Sequence, residues 1–218
     1  AILVSLSKGL EEGSGKRVDE ILIEALPPGQ SFALLSGPMM AEEMIKGLGA
    51  MAVLATAKEG DARRVAACLG EDLLRVVYSP DLKGVALAGV LKNIYALALG
   101  ISDGLGWGGN LKGWLASYAM DEMARVMNEL HGSAEALRLP AGYADFLATG
   151  YSPHSRNRTL ADELVRTGVC NQKSEGCSSL PALVGGLKNV GAYRLLAALD
   201  SCVLRGAKPK ESFEALLP

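Results

Sequence analysis

The chain has 218 residues, enough for one large domain or two small ones. Hydrophobic residues make up 49% and charged residues 21%, an ordinary make-up for a soluble globular protein. The formal net charge is −2 with no basic run or basic–aromatic stripe, which argues against a nucleic-acid partner.

Taken in order, residues 1–6 form a short apolar run that starts as if inside a strand. There is no initiator methionine, so a segment is expected upstream. No signal peptide is visible, because this run is short and no basic segment precedes it. Val18, Ile21, Leu22 and Leu26 give helical spacing across 15–26, and Pro27-Pro28-Gly29 stops it. Residues 31–35 read as a strand, 39–46 as a short helix and 50–57 as a buried strand. Residues 61–69 read as a helix and 74–78 as a strand. This alternation predicts a mostly parallel sheet with crossover helices.

After Pro80 the pattern changes. A long apolar helix is expected over 85–101, with Lys92-Asn93 at its centre. Its length falls a little short of a membrane span and it carries two polar residues, so a transmembrane reading is rejected. Gly104, Gly106 and Gly109 match G-x-G-x-x-G, but they follow a helix and not a strand, which predicts a tight interhelical turn. A second long helix is expected over 111–129, with further helices near 157–167, 180–187, 192–204 and 209–216. No strand is needed after residue 80, so the expectation is α/β followed by all-α.

The four cysteines, Cys68, Cys170, Cys177 and Cys202, lack zinc-ligand or C-x-x-C spacing. They read as reduced thiols in a reducing compartment, and no metal site is expected. His131 and His154 have no serine or cysteine nucleophile motif, which leaves a hydrolase triad unsupported.

Four segments can carry chemistry. A helix apolar all round is usually buried, and a buried ammonium is costly unless it is paired or sheds its proton. Lys92 is therefore either a general base or a side chain that snorkels to solvent from the helix edge. Lys8 follows the first strand, where a lysine faces the ligand crevice of an open α/β sheet or simply sits in a surface turn. Ser36-Gly37-Pro38 ends a strand and opens the helix of Ala41-Glu42-Glu43, a junction that suits an anion but is common. Ser155-Arg156-Asn157-Arg158 precedes a helix and makes either a phosphate site or a solvated cap. Asp145, among apolar neighbours, can pair with a buried lysine or cap a turn.

In this order the segments resemble the NAD(P)-dependent glycerol-3-phosphate dehydrogenases of the bacterial type. The matching stretches are Ser7-Lys8-Gly9-Leu10-Glu11, Leu35-Ser36-Gly37-Pro38 with Ala41-Glu42-Glu43, and Leu91-Lys92-Asn93. Next come Gly100-Ile101-Ser102-Asp103-Gly104-Leu105-Gly106, Asp145 with Thr149, Ser155-Arg156-Asn157-Arg158, and Glu175-Gly176. The resemblance implies a cytoplasmic oxidoreductase, a homodimer, that interconverts sn-glycerol 3-phosphate and dihydroxyacetone phosphate with NAD or NADP. It implies residues 1–80 as part of a Rossmann-like dinucleotide-binding domain. Residues 81–218 then form an all-helical substrate domain, similar to that of 6-phosphogluconate dehydrogenase.

By the same resemblance Lys92 is the general acid/base. Lys8, Gly37, Asn93, Asp145, Thr149, Ser155, Arg156 and Asn157 hold the substrate, and Lys8, Ala41, Arg156 and Glu175 contact the cofactor. The chain departs from the family at several points. It has no G-x-G-x-x-G turn after its first strand. Met39 stands where a small hydroxyl residue is usual, Gly109 replaces an aspartate and Lys173 an apolar residue. The alternative reading is a non-catalytic paralogue or fragment that keeps the helical part as a dimerisation or phosphate-ester-binding module.

Overall fold

The computed structural model describes residues 1–69, 73–169 and 174–218. Four strands form one sheet in chain order: β1 (Leu3–Ser5), β2 (Phe32–Ser36), β3 (Ala50–Ala55) and β4 (Leu74–Ser79). Helix α1 (Val18–Ala25) joins β1 to β2, and α3 (Glu59–Leu69) joins β3 to β4; both of these strand pairs are parallel. The expected mostly parallel sheet has one exception: β2 and β3 run antiparallel, with Leu35 opposite Leu54. The helix between them, α2, spans only Ala41–Met44. One helical turn advances about 6 Å, whereas a crossover must travel back along a strand of about 20 Å, so the chain reverses instead.

Alternation along the strands sorts the core into two layers. Leu34, Val53 and Ala55 face the helical part, while Ala33, Leu35, Ala52 and Leu54 pack with Ala62 and Val65 of α3. Met39 packs at the edge of this second layer.

No strand follows Ser79 among the described residues. Helix α4 (Leu82–Gly104) starts where Asp81 accepts a hydrogen bond from the Gly84 N–H at 2.8 Å. It is longer than the expected 85–101 and reaches about 34 Å, so length does not exclude a membrane span. Its mean hydropathy is 1.7 over the most apolar stretch, but 94% of that stretch is buried inside the protein. The apolar surface on every side of α4 is covered by the sheet and by the later helices.

Those helices are α5 (Gly109–Glu129), α6 (Asp145–Tyr151), α7 (Arg156–Thr167), α8 (Glu175–Gly186), α9 (Arg194–Leu204) and α10 (Pro209–Glu214). Helix α6 and the irregular turns over 134–144 before it were not expected. They are short, and no long apolar period marks them. The glycine-rich segment is the expected interhelical turn, with Gly106 in the left-handed region at φ +71°. Gly109 begins α5 with open space where a side chain would stand. Helix α7 packs on α4 more extensively than any other helix does. Gly100 makes this possible, because a methyl there would run into the Arg158 carbonyl and Ala161.

Candidate functional site

Lys92 is buried at 6% exposure, and its side chain does not snorkel. Its ammonium lies 3.2 Å from Asp145 Oδ1 and donates to Thr149 Oγ1 at 3.1 Å. Asp145 and Thr149 are one turn apart on α6 and so share a face, and the Thr149 hydroxyl donates to Asp145 Oδ1 at 3.3 Å. The other carboxylate oxygen, Oδ2, accepts from Lys8 Nζ at 2.7 Å. Lys8 also donates to the Gly37 carbonyl at 3.1 Å. The segment after β1, the turn after β2 and helices α4 and α6 thus meet around one carboxylate, and Asp145 pairs with the buried Lys92 and the half-buried Lys8.

Glycine is required where the turn crosses the sheet. Gly37 sits at φ +153°, and a side chain there would collide with the backbone of Met51 and Ala52 on β3. The close approach that glycine permits at Gly37 is to the neighbouring strand. The Ser36 hydroxyl, beside the Lys8 stem and Gly89, is buried and has no hydrogen-bond partner among the described residues.

Two ammonium groups around one carboxylate, mostly out of water, set the electrostatics. Burial pushes the Lys92 amine down to about 8; Asp145 opposes this and Lys8 adds to it. The Glu175 carboxylate raises it slightly.

Asn93 faces the other way, toward α7. Asn157 Nδ2 donates to Asn93 Oδ1 at 2.9 Å, and Asn157 Oδ1 accepts from the Gly176 N–H at 3.0 Å. One buried amide so joins α4, α7 and α8. Ser155 caps α7, its hydroxyl accepting from the Arg158 N–H at 3.3 Å. The cap leaves Arg156 at the first helical position, exposed and with no hydrogen bond or ion pair among the described residues.

The remaining expected residues lie further out. Glu175 is the first residue of α8, exposed, behind the Ser174 cap and beside Gly9. Ala41 is exposed at the start of α2, whose first turn carries Glu42 and Glu43, and no hydrogen bond joins that turn to the lysine pair among the described residues. Lys173 and Cys170 fall outside the described residues. Arg156 can donate to a phosphate group and the Glu175 carboxylate can accept from an amide N–H, and both side chains are exposed, which suits a ligand carrying the two groups.

Among the buried charges that were not anticipated, two lie on α5. Glu122 is fully buried on α5 and accepts from Tyr95 Oη at 3.0 Å and from the Leu195 and Leu196 N–H groups at 3.1 and 2.7 Å. It caps α9 and ties it to α4. Lys112 pairs with Asp103 at 2.7 Å. Both charges sit on the stripe Leu115, Ala119, Met123 and Val126 that α5 buries. A charge at the period of an apolar stripe was the signal available for both.

Residues 81–214 match the family model described as NAD-dependent glycerol-3-phosphate dehydrogenase C-terminus, and residues 1–62 match the model for the N-terminus of the same family. A glycerol-3-phosphate dehydrogenase [NAD(P)+] of Pelodictyon phaeoclathratiforme is 40% identical over 168 residues, covering 76% of this chain and 50% of the relative. One of Mycobacterium bovis is 35% identical over 226 residues, covering 99% of this chain and 65% of the relative. The chain spans about half the length of the first relatives it matches. A crystal structure of a glycerol-3-phosphate dehydrogenase from Coxiella burnetii superposes with a TM-score of 0.85 at 29% identity, covering 98% of this chain and 67% of that one. One from Plasmodium falciparum, at 18% identity and a TM-score of 0.87, shares the fold.

Proposed function

The chain belongs to the NAD-dependent glycerol-3-phosphate dehydrogenase family, and from that premise we propose that it interconverts sn-glycerol 3-phosphate and dihydroxyacetone phosphate, with Lys92 as general acid/base. The observation that carries this reading is the Lys92 amine, buried, hydrogen-bonded to Thr149 and brought down to about 8. A base works best when its pKa lies near the operating pH. Neutral Lys92 takes the hydroxyl proton as the alcohol is oxidised, and protonated Lys92 returns it to the carbonyl oxygen in the reverse direction. Asp145 and Thr149 fix the position of Nζ, and Lys8 keeps the carboxylate from binding the Lys92 proton too tightly.

Arg156, at the start of a capped helix, supplies a guanidinium and the helix dipole to the substrate phosphate, with Ser155 and Asn157 setting that turn. Gly37, Lys8 and Asn93 complete the substrate pocket in this reading. When bound, the nicotinamide group of NAD or NADP supplies or accepts the hydride. Lys8, Ala41, Arg156 and Glu175 would hold it.

The proposal extends to the organisation of the protein. Residues 1–80 are part of a dinucleotide-binding domain and 81–218 a substrate domain, because the sheet ends at Ser79 and the family models part between residues 62 and 81. A reducing, cytoplasmic setting belongs to the same proposal and is supported by cysteine spacing that matches no zinc site or C-x-x-C pair. Assembly as a homodimer belongs to the same proposal and is tested by sedimentation. Oxidation of NADH or NADPH by the full-length protein with dihydroxyacetone phosphate tests the reaction; absence of turnover with both cofactors removes it.

A further inference from the structure

Asp103, near the end of α4, holds two cations. Arg158 Nε donates to its Oδ2 at 2.5 Å, and Lys112 Nζ reaches Oδ1 at 2.7 Å and Oδ2 at 2.8 Å. Lys112 is buried, and its ammonium also lies 4.4 Å from the centre of the Tyr151 ring. The cluster therefore binds the ends of four helices: Asp103 from α4, Lys112 from α5, Tyr151 from α6 and Arg158 from α7. It closes over the 152–155 connection between the helix that carries Asp145 and the helix that carries Arg156.

The first turn of α7 is pinned on three sides. Ser155 caps it, Asn157 ties it to Asn93 and Gly176, and Arg158 ties it to Asp103. Arg156 alone reaches outward. Its direction is set by the turn it stands on, and among the described residues the pairing of Arg158 is the one charged link that fixes that turn to α4.

We infer that Asp103, clamped between Lys112 and Arg158, is a positioning residue for Arg156, fixing the first turn of α7 so that its guanidinium meets a phosphate group. The inference rests on the reading of Arg156 as a phosphate ligand. Lys112 Nζ bridges both oxygens of Asp103 and holds the carboxylate directed at Arg158. Arg158 acts through its backbone, because its side chain is spent on Asp103.

A loss of stability alone would lower all rates together, so the test isolates the phosphate. The full-length protein is assayed for kcat/KM with dihydroxyacetone phosphate and with dihydroxyacetone, and for inorganic phosphate binding by calorimetry. Wild type, Asp103→Asn, Arg156→Ala and the double variant are compared. Displacing a positioned group by a fraction of its length costs about tenfold or more. Asp103→Asn is expected to lower both the phosphorylated-over-unphosphorylated ratio and the phosphate affinity about tenfold. It is expected to add nothing in the Arg156→Ala background. Asp103→Glu restores part of the loss. Lys112→Met, which keeps the packing volume, gives the same direction of change if Asp103→Asn does not fold. An unchanged ratio and affinity in a folded Asp103→Asn or Lys112→Met protein overturns the inference, as does full additivity with Arg156→Ala. Should wild type turn over neither substrate, the dehydrogenase reading fails and the phosphate titration alone decides: failure of wild type to bind phosphate overturns this inference too.

Discussion

The Lys92 ammonium lies 3.2 Å from an Asp145 carboxylate oxygen, yet it holds its proton less tightly than a lysine in water. At an effective dielectric near 20, a pair at that distance attracts by about 5 kcal/mol. The fall from 10.5 to about 8 is a net effect of about 3 kcal/mol in the opposite direction. Burial, with Lys8 on the other oxygen, therefore outweighs the pair. Asp145 orients Lys92 without locking its proton in place, as an acid/base that must release and regain a proton requires.

The pH dependence of catalysis follows from that value. In the proposed reaction, oxidation of glycerol 3-phosphate needs neutral Lys92, so its kcat/KM should rise with pH and level off above about 8. Reduction of dihydroxyacetone phosphate needs the protonated form and should fall through the same range. Initial rates in both directions between pH 6 and 10, on the order of a pH unit per step, check this. Profiles that move together, or that turn nowhere near 8, count against Lys92.

Stability should carry the same signature with a definite sign. The folded-state value of Lys92 lies below its unfolded value of 10.5, so the unfolded chain binds more protons between about 8 and 10.5. The charged lysine is a full penalty below 8, and it is relieved as pH rises through that window. Lys92→Met removes the penalty and leaves Asp145 paired with Lys8 at 2.7 Å. It should stabilise the protein at pH 7 by about 1–3 kcal/mol and flatten the rise above pH 8. Denaturant titrations at pH 7 and pH 10 measure both effects.

Asp145→Asn should do the reverse. It leaves Lys8 and Lys92 facing each other without a counter-charge. A loss of about 3–5 kcal/mol is expected at pH 7, part of it regained at high pH as Lys92 loses its proton. The rate profile of any residual activity should shift to lower pH, because the Asp145 charge that raised the Lys92 value is gone.

Much of this arrangement was legible in the sequence. Lys92-Asn93 in an apolar helix left a buried and a snorkelling lysine both open; the structure buries it, and the pair divides its work, Lys92 toward Asp145 and Asn93 toward Asn157. Alternation in 31–55 gave the strands. The antiparallel turn between β2 and β3 was not legible, because direction depends on how far a connection travels and not on its residue types. Helix α6 escaped notice because its seven residues carry no long period. Glu122 and Lys112 were missed because their partners, the Leu195 and Leu196 N–H groups and Asp103, come from other parts of the chain. A helix period marks a buried face but names no partner.

The Asn157 amide offers a test of the link between α4, α7 and α8. Asn157→Ala leaves Asn93 Oδ1 and the Gly176 N–H buried without their partner, and it should cost about 1–3 kcal/mol in thermal or denaturant unfolding. Asn157→Asp should be no milder, since a carboxylate cannot donate to Asn93. An Asn157→Ala protein as stable as wild type would mean that the bridge carries no energy.

The most direct test of the central claim is turnover of dihydroxyacetone phosphate with NADH or NADPH by the full-length protein, measured side by side for wild type and Lys92→Ala, with folding of both checked by circular dichroism. A general acid/base contributes about 100-fold to 10,000-fold. The account predicts turnover by wild type and a fall of at least that lower figure in a folded Lys92→Ala protein. A wild type that turns over while Lys92→Ala matches its rate would contradict it.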